Sequence, residues 1–313
     1  MKDLRIAVIG IGATGAILAA ALLKQDPDTI CIDPRPGLGD ALAREGITVS
    51  GALNFHVPVR NFFTRIRDAA HLKPNLIFIS TKTYHLASVL EEIKNVFSPG
   101  MKIVSTHNGL GPEDFIAEHF GRDAVFRISL NLGAAITTPS HVQMTFFNRP
   151  NYIGCLSPSN KEPGLQIAKI LTGCGLDTEF VDNIKLYVWR KMIYKCTNAS
   201  ICAVTDRTIK EIMDYPPTRE IMLGCFSEAL AVAKATGYDL GDDFLDHAFK
   251  FLEGVGAHKD SMCYDVANKL PTEIDFLGGK IVEYGKACGI PTPYFTVMTD
   301  LVRALQDSYL SRK

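Results

Sequence analysis

Residues 5–15 read R-I-A-V-I-G-I-G-A-T-G. Ile6, Val8 and Ile9 make a short apolar, β-branched run, the pattern of a parallel strand buried on both faces. Gly10, Gly12 and Gly15 follow as G-x-G-x-x-G, with Ala13 and Thr14 completing the loop, and residues 16–24 (A-I-L-A-A-A-L-L-K) are strong helix formers. Strand before and helix after give each glycine a task. The first permits a tight turn, the second leaves room for a pyrophosphate against bare backbone, and the third lets helix and strand pack closely. The helix start adds unpaired N–H groups and the positive end of a dipole. The expectation is a dinucleotide loop at Gly10, Gly12, Ala13, Thr14 and Gly15.

Outward from the loop, residues 29–32 (T-I-C-I) read as the second strand, and Asp33 stands at its C-terminal end, 23 residues after Gly10. A carboxylate there accepts both ribose hydroxyls of an adenosine and repels a 2′-phosphate, which favours NAD. Arg35, two residues on, is the counter-indication, because a guanidinium there suits the 2′-phosphate of NADP. The residues lean to NAD through Asp33.

Strand and helix signals alternate through the first half of the chain. A helix is expected over 39–45, with short strands at 47–49 and 55–59. A buried strand at 76–80 ends in Thr81-Lys82-Thr83, and a helix follows over 84–96 with Leu86, Val89, Leu90 and Ile93 on one face. A strand at 102–105 leads into Thr106-His107-Asn108-Gly109-Leu110-Gly111, and Pro112-Glu113-Asp114 opens a helix with acids in its first turn. The pattern predicts a Rossmann-type, doubly wound parallel sheet, whose ligands sit at the C-terminal strand ends, where the glycine loop, Asp33, Lys82 and Asn108 all fall. Residues 124–156 read as strands completing that sheet, some antiparallel. A helix at 162–174 and a last strand at 177–181 follow. After Asp182 the pattern is helical: 183–202, 206–214, 217–236, 241–253, 261–269, 272–288 and 293–310, punctuated by Gly237, Gly254, Gly256 and Gly289. The expected domains are therefore 1–182, binding a dinucleotide, and an all-helical 183–313 carrying substrate and catalytic groups, with a cleft between them.

Composition narrows the class. The chain has 313 residues, 47% hydrophobic and 21% charged, with a net charge of −1. That balance belongs to a globular protein and gives no attraction to nucleic acid. The eight cysteines, at 31, 155, 174, 196, 202, 225, 263 and 288, form no C-x-x-C pair, so no metal site is expected, and several, in apolar helical or strand contexts, read as small buried hydrophobes. Reduced thiols, the absence of a signal sequence ahead of the first strand, and the absence of an uncharged apolar run of about 18 residues lead to the expectation of a cytoplasmic protein without a membrane span.

In the second half, Lys191 lies in Trp189-Arg190-Lys191-Met192 and Glu273 in Pro271-Thr272-Glu273-Ile274-Asp275, with Ser261 and Asp265 just before. A partly desolvated lysine can protonate the oxygen of a ketone that receives hydride, and a carboxylate can hold a substrate hydroxyl.

Taken together, these motifs resemble the ketopantoate reductase (2-dehydropantoate 2-reductase) family over most of the chain. The likeness rests on the glycine loop, Thr81-Lys82-Thr83, Asn108-Gly109-Leu110-Gly111, Trp189-Arg190-Lys191, and Asp260-Ser261-Met262 through Asp265 to Pro271-Thr272-Glu273-Ile274-Asp275-Phe276-Leu277-Gly278-Gly279. The resemblance implies an NAD(P)H-dependent oxidoreductase that reduces 2-dehydropantoate to pantoate on the way to pantothenate and coenzyme A. It implies Lys191 as the general acid, Glu273 on the substrate hydroxyl, Ser261 on the carboxylate, Asn108 and Lys82 near nicotinamide and substrate, and Asp265 in support. The chain departs from the family in two respects. Lys195 and Ala199 stand where asparagines are usual, four and eight residues after the lysine, with Asn198 one residue, about 100° of helix, from the second. Asp33-Pro34-Arg35 replaces the basic residue that suits the family's usual NADP. Lys195 and Asn198 are accordingly assigned to substrate binding. If Lys195 points the way Lys191 does, its charge lowers the Lys191 pKa; alternatively it meets the substrate carboxylate. The alternative functions are reduction of a different branched 2-keto acid, and an inactive nucleotide-binding regulatory protein of the same fold. The expected partners are a small 2-keto acid and a second copy in a homodimer, with no nucleic acid, membrane or metal.

Overall fold

The computed structural model describes residues 4–96 and 98–311. Contacts divide it into two units. The first holds residues up to His107 together with Pro112–Ile184, and the second holds Asn108–Gly111 together with Lys185 onward.

The first unit runs β1 (Ile6–Ile9), α1 (Ala13–Leu23), β2 (Ile30–Ile32), α2 (Leu38–Glu45), β3 (Ile47–Gly51), β4 (Phe55–Val57), β5 (Asn61–Phe63), β6 (Leu76–Ile79), α3 (Leu86–Lys94), β7 (Lys102–Ser105), α4 (Pro112–Phe120), β8 (Val125–Ser129), β9 (Leu132–Thr138), β10 (His141–Phe147), β11 (Asn151–Cys155), α5 (Lys161–Gly173) and β12 (Thr178–Phe180). Eight strands form one sheet in the order β12-β11-β8-β7-β6-β1-β2-β5. From β8 to β5 the neighbours are parallel, while β11 runs antiparallel to β8 and β12 pairs parallel to β11. The chain leaves β1 for β2 on one side and later returns to β6 on the other, so the order reverses at β1, where a doubly wound sheet opens a crevice at its strand ends. Ile6, Ala7, Val8 and Ile9 are all buried, as are Leu76, Ile77, Phe78 and Ile79. Helices on both faces require such continuous apolar strands.

One expectation is corrected here. Of the strands in 124–156, β8 and β11 join the main sheet, but β9 and β10 do not. They build a second, four-stranded sheet with β3 and β4, in the order β4-β3-β10-β9. This sheet packs on α1, which also lies against β1. Nine of the eleven residues of α1, from Gly15 to Leu23, are buried. A helix apolar all round has no face to give to water and must be covered on both sides, so A-I-L-A-A-A-L-L calls for the second layer. The edge strand β5 and the 3₁₀ turn Ile66–Leu72 lie in a stretch the sequence reading left unassigned.

The second unit is helical: α6 (Ile184–Thr205), α7 (Ile209–Asp214), α8 (Pro216–Ala235), α9 (Phe244–Val255), α10 (Ser261–Ala267), α11 (Gly278–Cys288) and α12 (Pro293–Leu310). Val188, Trp189, Met192, Ile193, Cys196 and Cys202 of α6 are buried. Glu228 of α8 caps α12, its two carboxylate oxygens accepting from the N–H groups of Tyr294 (2.8 Å) and Phe295 (2.9 Å). The helix expected over 272–288 is two pieces, a 3₁₀ turn Ile274–Phe276 and α11. Leu277, at φ −109° and ψ −107°, breaks the ladder between them. Glu273 therefore precedes a tight turn rather than sitting inside a first helical turn.

Candidate active site

In the first unit the loop is built around close approaches. Gly10 has φ +89°, and a Cβ there would lie 2.8 Å from the Thr81 nitrogen; a Cβ on Gly15 would lie 1.8 Å from the Gly10 carbonyl oxygen. Gly12 differs, since a Cβ there meets nothing within 4 Å. The second glycine therefore faces open space at the start of α1, where the first N–H groups of the helix have no intrahelical acceptor. An anionic group fits that cradle.

Asp33 and Arg35, read from the sequence as alternatives, are bonded to each other. The buried Asp33 carboxylate accepts from Arg35 Nε (2.8 Å), Arg35 Nη2 (3.0 Å) and the Arg35 backbone N–H (3.0 Å), and from the Ile11 N–H (2.8 Å). Arg35 Nη2 also donates to the Ile11 carbonyl at 2.6 Å. The pair is thereby tied to the glycine loop. The Arg35 side chain is 46% exposed and that of Asp33 7%, so the guanidinium is the member of the pair that faces solvent. Lys82, half-buried, precedes the 3₁₀ turn Thr83–His85 at the end of β6.

In the second unit, Asn108–Gly111 is clasped by two elements. The Gly109 N–H donates to Met192 Sδ of α6 (2.9 Å), and the Leu110 N–H donates to the Phe276 carbonyl (2.8 Å). Gly109 has φ +102°, and a Cβ there would lie 2.5 Å from the Phe276 oxygen, so only glycine permits this approach. The clasp sets Asn108 beside α6, where Lys191 Nζ donates to Asn108 Oδ1 at 3.1 Å. It also fixes the Glu273 turn, since the Phe276 N–H donates to the Glu273 carbonyl (3.1 Å) and Thr272 donates to Gln306 of α12 through both its N–H (2.6 Å) and its hydroxyl (2.9 Å).

Lys195 is one turn beyond Lys191. Its ammonium donates to both oxygens of Asp260 at 2.7 Å and to Ser261 Oγ at 2.7 Å. An ammonium has three donors, and these contacts engage all three. Lys195 is thus paired with Asp260 and bonded to Ser261, the residue the resemblance places on the substrate carboxylate. Asp260 is also the N-cap of α10, accepting from the Met262 N–H at 2.9 Å. Sequence reading assigned it no role, although an aspartate just ahead of a helix is a capping signal. Asp265, buried, lies four residues beyond Ser261 in α10.

Asn198 is buried, and its Oδ1 has no hydrogen-bond partner among the described residues. It follows Lys191 by seven residues, within about 20° of the same helix face, whereas Ala199 is about 80° away. Asn198 is thus closer to the direction of Lys191 than Ala199 is.

Among the described residues, no three His, Cys, Asp or Glu side chains are grouped to hold a metal, and no helix is long and apolar enough to cross a membrane.

A sequence model of the family described as "Ketopantoate reductase PanE/ApbA" matches residues 6–158, and that of its C-terminal part matches residues 183–306. The chain belongs to the ketopantoate reductase family. These are oxidoreductases acting on a CH–OH group. The 2-dehydropantoate 2-reductase of Streptococcus pyogenes serotype M3 is 28% identical over 301 residues, covering 95% of this chain and 96% of that protein. Two solved structures share the fold. One is 2-dehydropantoate 2-reductase from Geobacter metallireducens GS-15 (TM-score 0.88, 24% identity, 96% of this chain and 99% of the other). The other is D-mandelate dehydrogenase in a ternary structure with NADH and anilino(oxo)acetate (TM-score 0.89, 23% identity, 98% and 99%). The N-terminal parallel-sheet α/β unit and the helical C-terminal unit of this ketopantoate reductase relative are the architecture of that fold.

Proposed function

We propose that this protein is a nicotinamide-dependent reductase of a 2-keto acid, with 2-dehydropantoate as substrate and pantoate as product. The observation that carries the reading is the hydrogen bond from Lys191 to Asn108, held by the clasp of Asn108–Gly111 against α6 and the Phe276 turn. A bound dihydronicotinamide supplies the hydride. As negative charge grows on the ketone oxygen, the Lys191 ammonium stabilises it and delivers a proton from Nζ. Asn108 Oδ1 accepts from Nζ and so orients the ammonium. Glu273 accepts from the substrate hydroxyl. Ser261, whose oxygen accepts from Lys195, keeps its own proton to donate to the substrate carboxylate, and Asp265 supports this end of α10. Asn198 Oδ1 is a further acceptor for substrate.

The dinucleotide assignment rests on the open space at Gly12 above the start of α1, with Gly10, Ala13, Thr14 and Gly15 forming the cradle and Lys82 and Asn108 assigned to the nicotinamide end. For the adenosine end we infer a preference for NADH. Asp33 is fixed by the Ile11 N–H, and Arg35 can swing outward to free its oxygens for the ribose. D-mandelate dehydrogenase, with the same fold, holds NADH. The Lys195–Asp260 pair, at a position where asparagine is usual, favours a second reading: the same chemistry on a different branched 2-keto acid.

The test is a panel of 2-keto acids assayed with NADH and with NADPH. The highest kcat/KM is expected for 2-dehydropantoate with NADH, and Asp33→Ala should narrow the gap between cofactors. A strong NADPH preference would assign Arg35 to a 2′-phosphate instead. A better branched 2-keto acid would select the second reading, and no turnover with any member would remove both.

A further inference from the structure

A buried chain of polar side chains runs across the C-terminal ends of β6, β7 and β8, outside the assignments made above. Arg127 of β8 is buried beside Glu113 of α4, with Nε 3.6 Å from Oε2. Its Nη1 donates to Ser105 Oγ at 2.9 Å. Ser105 Oγ is 3.0 Å from His107 Nδ1, and His107 Nε2 is 3.4 Å from Thr81 Oγ1.

The direction of every proton in this chain can be worked out. Arginine only donates, so Ser105 Oγ accepts from it. Burial, reinforced by the Arg127 charge, pushes the His107 pKa down to about 3, so the ring is neutral and carries one proton. Were that proton on Nδ1, the buried Ser105 hydroxyl proton would lack an acceptor, a loss that buried polar groups avoid. Ser105 therefore donates to Nδ1. The ring proton sits on Nε2 and points at Thr81 Oγ1, which accepts. The 3.4 Å separation is loose, as such contacts often are before a ligand binds.

A threonine oxygen that accepts from behind has its own proton left to donate forward. Thr81 is half-buried, and its backbone nitrogen packs 2.8 Å from where Gly10 would carry a Cβ, so the residue lies beside the glycine loop. We propose that Thr81 is a dinucleotide-binding residue that donates a hydrogen bond to an acceptor oxygen of the cofactor, and that His107 is the positioning residue that fixes the direction of its hydroxyl proton. This rests on the reading of the glycine loop as the dinucleotide site.

The experiment is calorimetric titration of the full-length protein with NADH and with NADPH, alongside the ¹⁵N-histidine spectrum of the wild type. Thr81→Val keeps the volume and removes the hydroxyl, and should weaken both dinucleotides by about three- to tenfold, the worth of one neutral hydrogen bond. Thr81→Ser should restore wild-type affinity. His107→Leu should weaken binding as Thr81→Val does and add nothing in the Thr81→Val background, because it acts only through that hydroxyl. The spectrum should place the ring proton of His107 on Nε2. Wild-type affinity in Thr81→Val, or a ring proton on Nδ1, overturns the proposal even if His107→Leu fails to fold. A wild type that binds neither dinucleotide instead overturns the reading of the loop, and the proposal with it.

Discussion

Replacing Asp260 by asparagine removes the counter-charge of Lys195 with almost no change of shape. The two side chains are 18% and 9% exposed, and both carboxylate oxygens lie 2.7 Å from Nζ. Removing one partner of a buried ion pair costs about 3–5 kcal/mol, because the remaining charge keeps its desolvation penalty without compensation. The residual exposure of Lys195, its surviving bond to Ser261 and the new amide oxygen place Asp260→Asn at the low end, about 3 kcal/mol. The cap on α10 adds little, since asparagine caps as well as aspartate. Urea unfolding should show this loss as a lower midpoint with an unchanged slope. The double variant Lys195→Met with Asp260→Asn removes both charges and should regain at least half of the loss. It should also raise KM for the keto acid without changing dinucleotide affinity, because Ser261 no longer receives the Lys195 donor. A loss under about 0.5 kcal/mol for Asp260→Asn, the range of ordinary surface changes, or a double variant no more stable than the single one, would refute the mutual dependence of the pair.

Gly12→Val should leave the unfolding midpoint near wild type, since its Cβ enters open space at an ordinary φ of −70°. It should abolish dinucleotide binding in a calorimetric titration; retained affinity would remove the pyrophosphate from that space. His107 should make stability depend on pH. Its folded pKa is held near 3 by burial and Arg127, against an ordinary 6.5, so below about pH 6.5 the unfolded chain takes up a proton that the folded chain refuses. The stability is fully present above that pH and declines toward pH 3, by about 2 kcal/mol at pH 5. Unfolding of His107→Gln between about pH 7.5 and about pH 5 should lose less than the wild type by that amount, and equal losses would contradict it.

The parts of the fold that were legible in the sequence are those set by local pattern. The apolar runs of β1, β6 and β7 sit in the main sheet, and Lys102–Ser105 and Pro293–Leu310 have the bounds the sequence gives them. What could not be read depends on distant partners. The segments of β9 and β10 carry ordinary strand signals, and nothing local says whether they extend the main sheet or cover α1; only the all-apolar face count of α1 holds that information. The break at Leu277 directly follows Phe276, whose carbonyl accepts from the Leu110 N–H far earlier in the chain. Lys195 and Asp260 are 65 residues apart, as are many charged pairs that never meet, so the sequence shows an extra lysine and the structure shows its neutralisation. The relay from Arg127 to Thr81 is likewise invisible in sequence, because its members come from β8, from β7 and the turn after it, and from the turn after β6, and share no spacing rule.

The central claim is that Lys191 delivers the proton to the ketone oxygen, and steady-state kinetics of Lys191→Ala with the preferred 2-keto acid and cofactor tests it most directly. A positioned general acid contributes about 10²-fold or more, so kcat should fall by at least roughly 10²-fold while dinucleotide affinity stays at its wild-type value. A kcat within about twofold of wild type would contradict the assignment, since no positioned proton donor contributes so little.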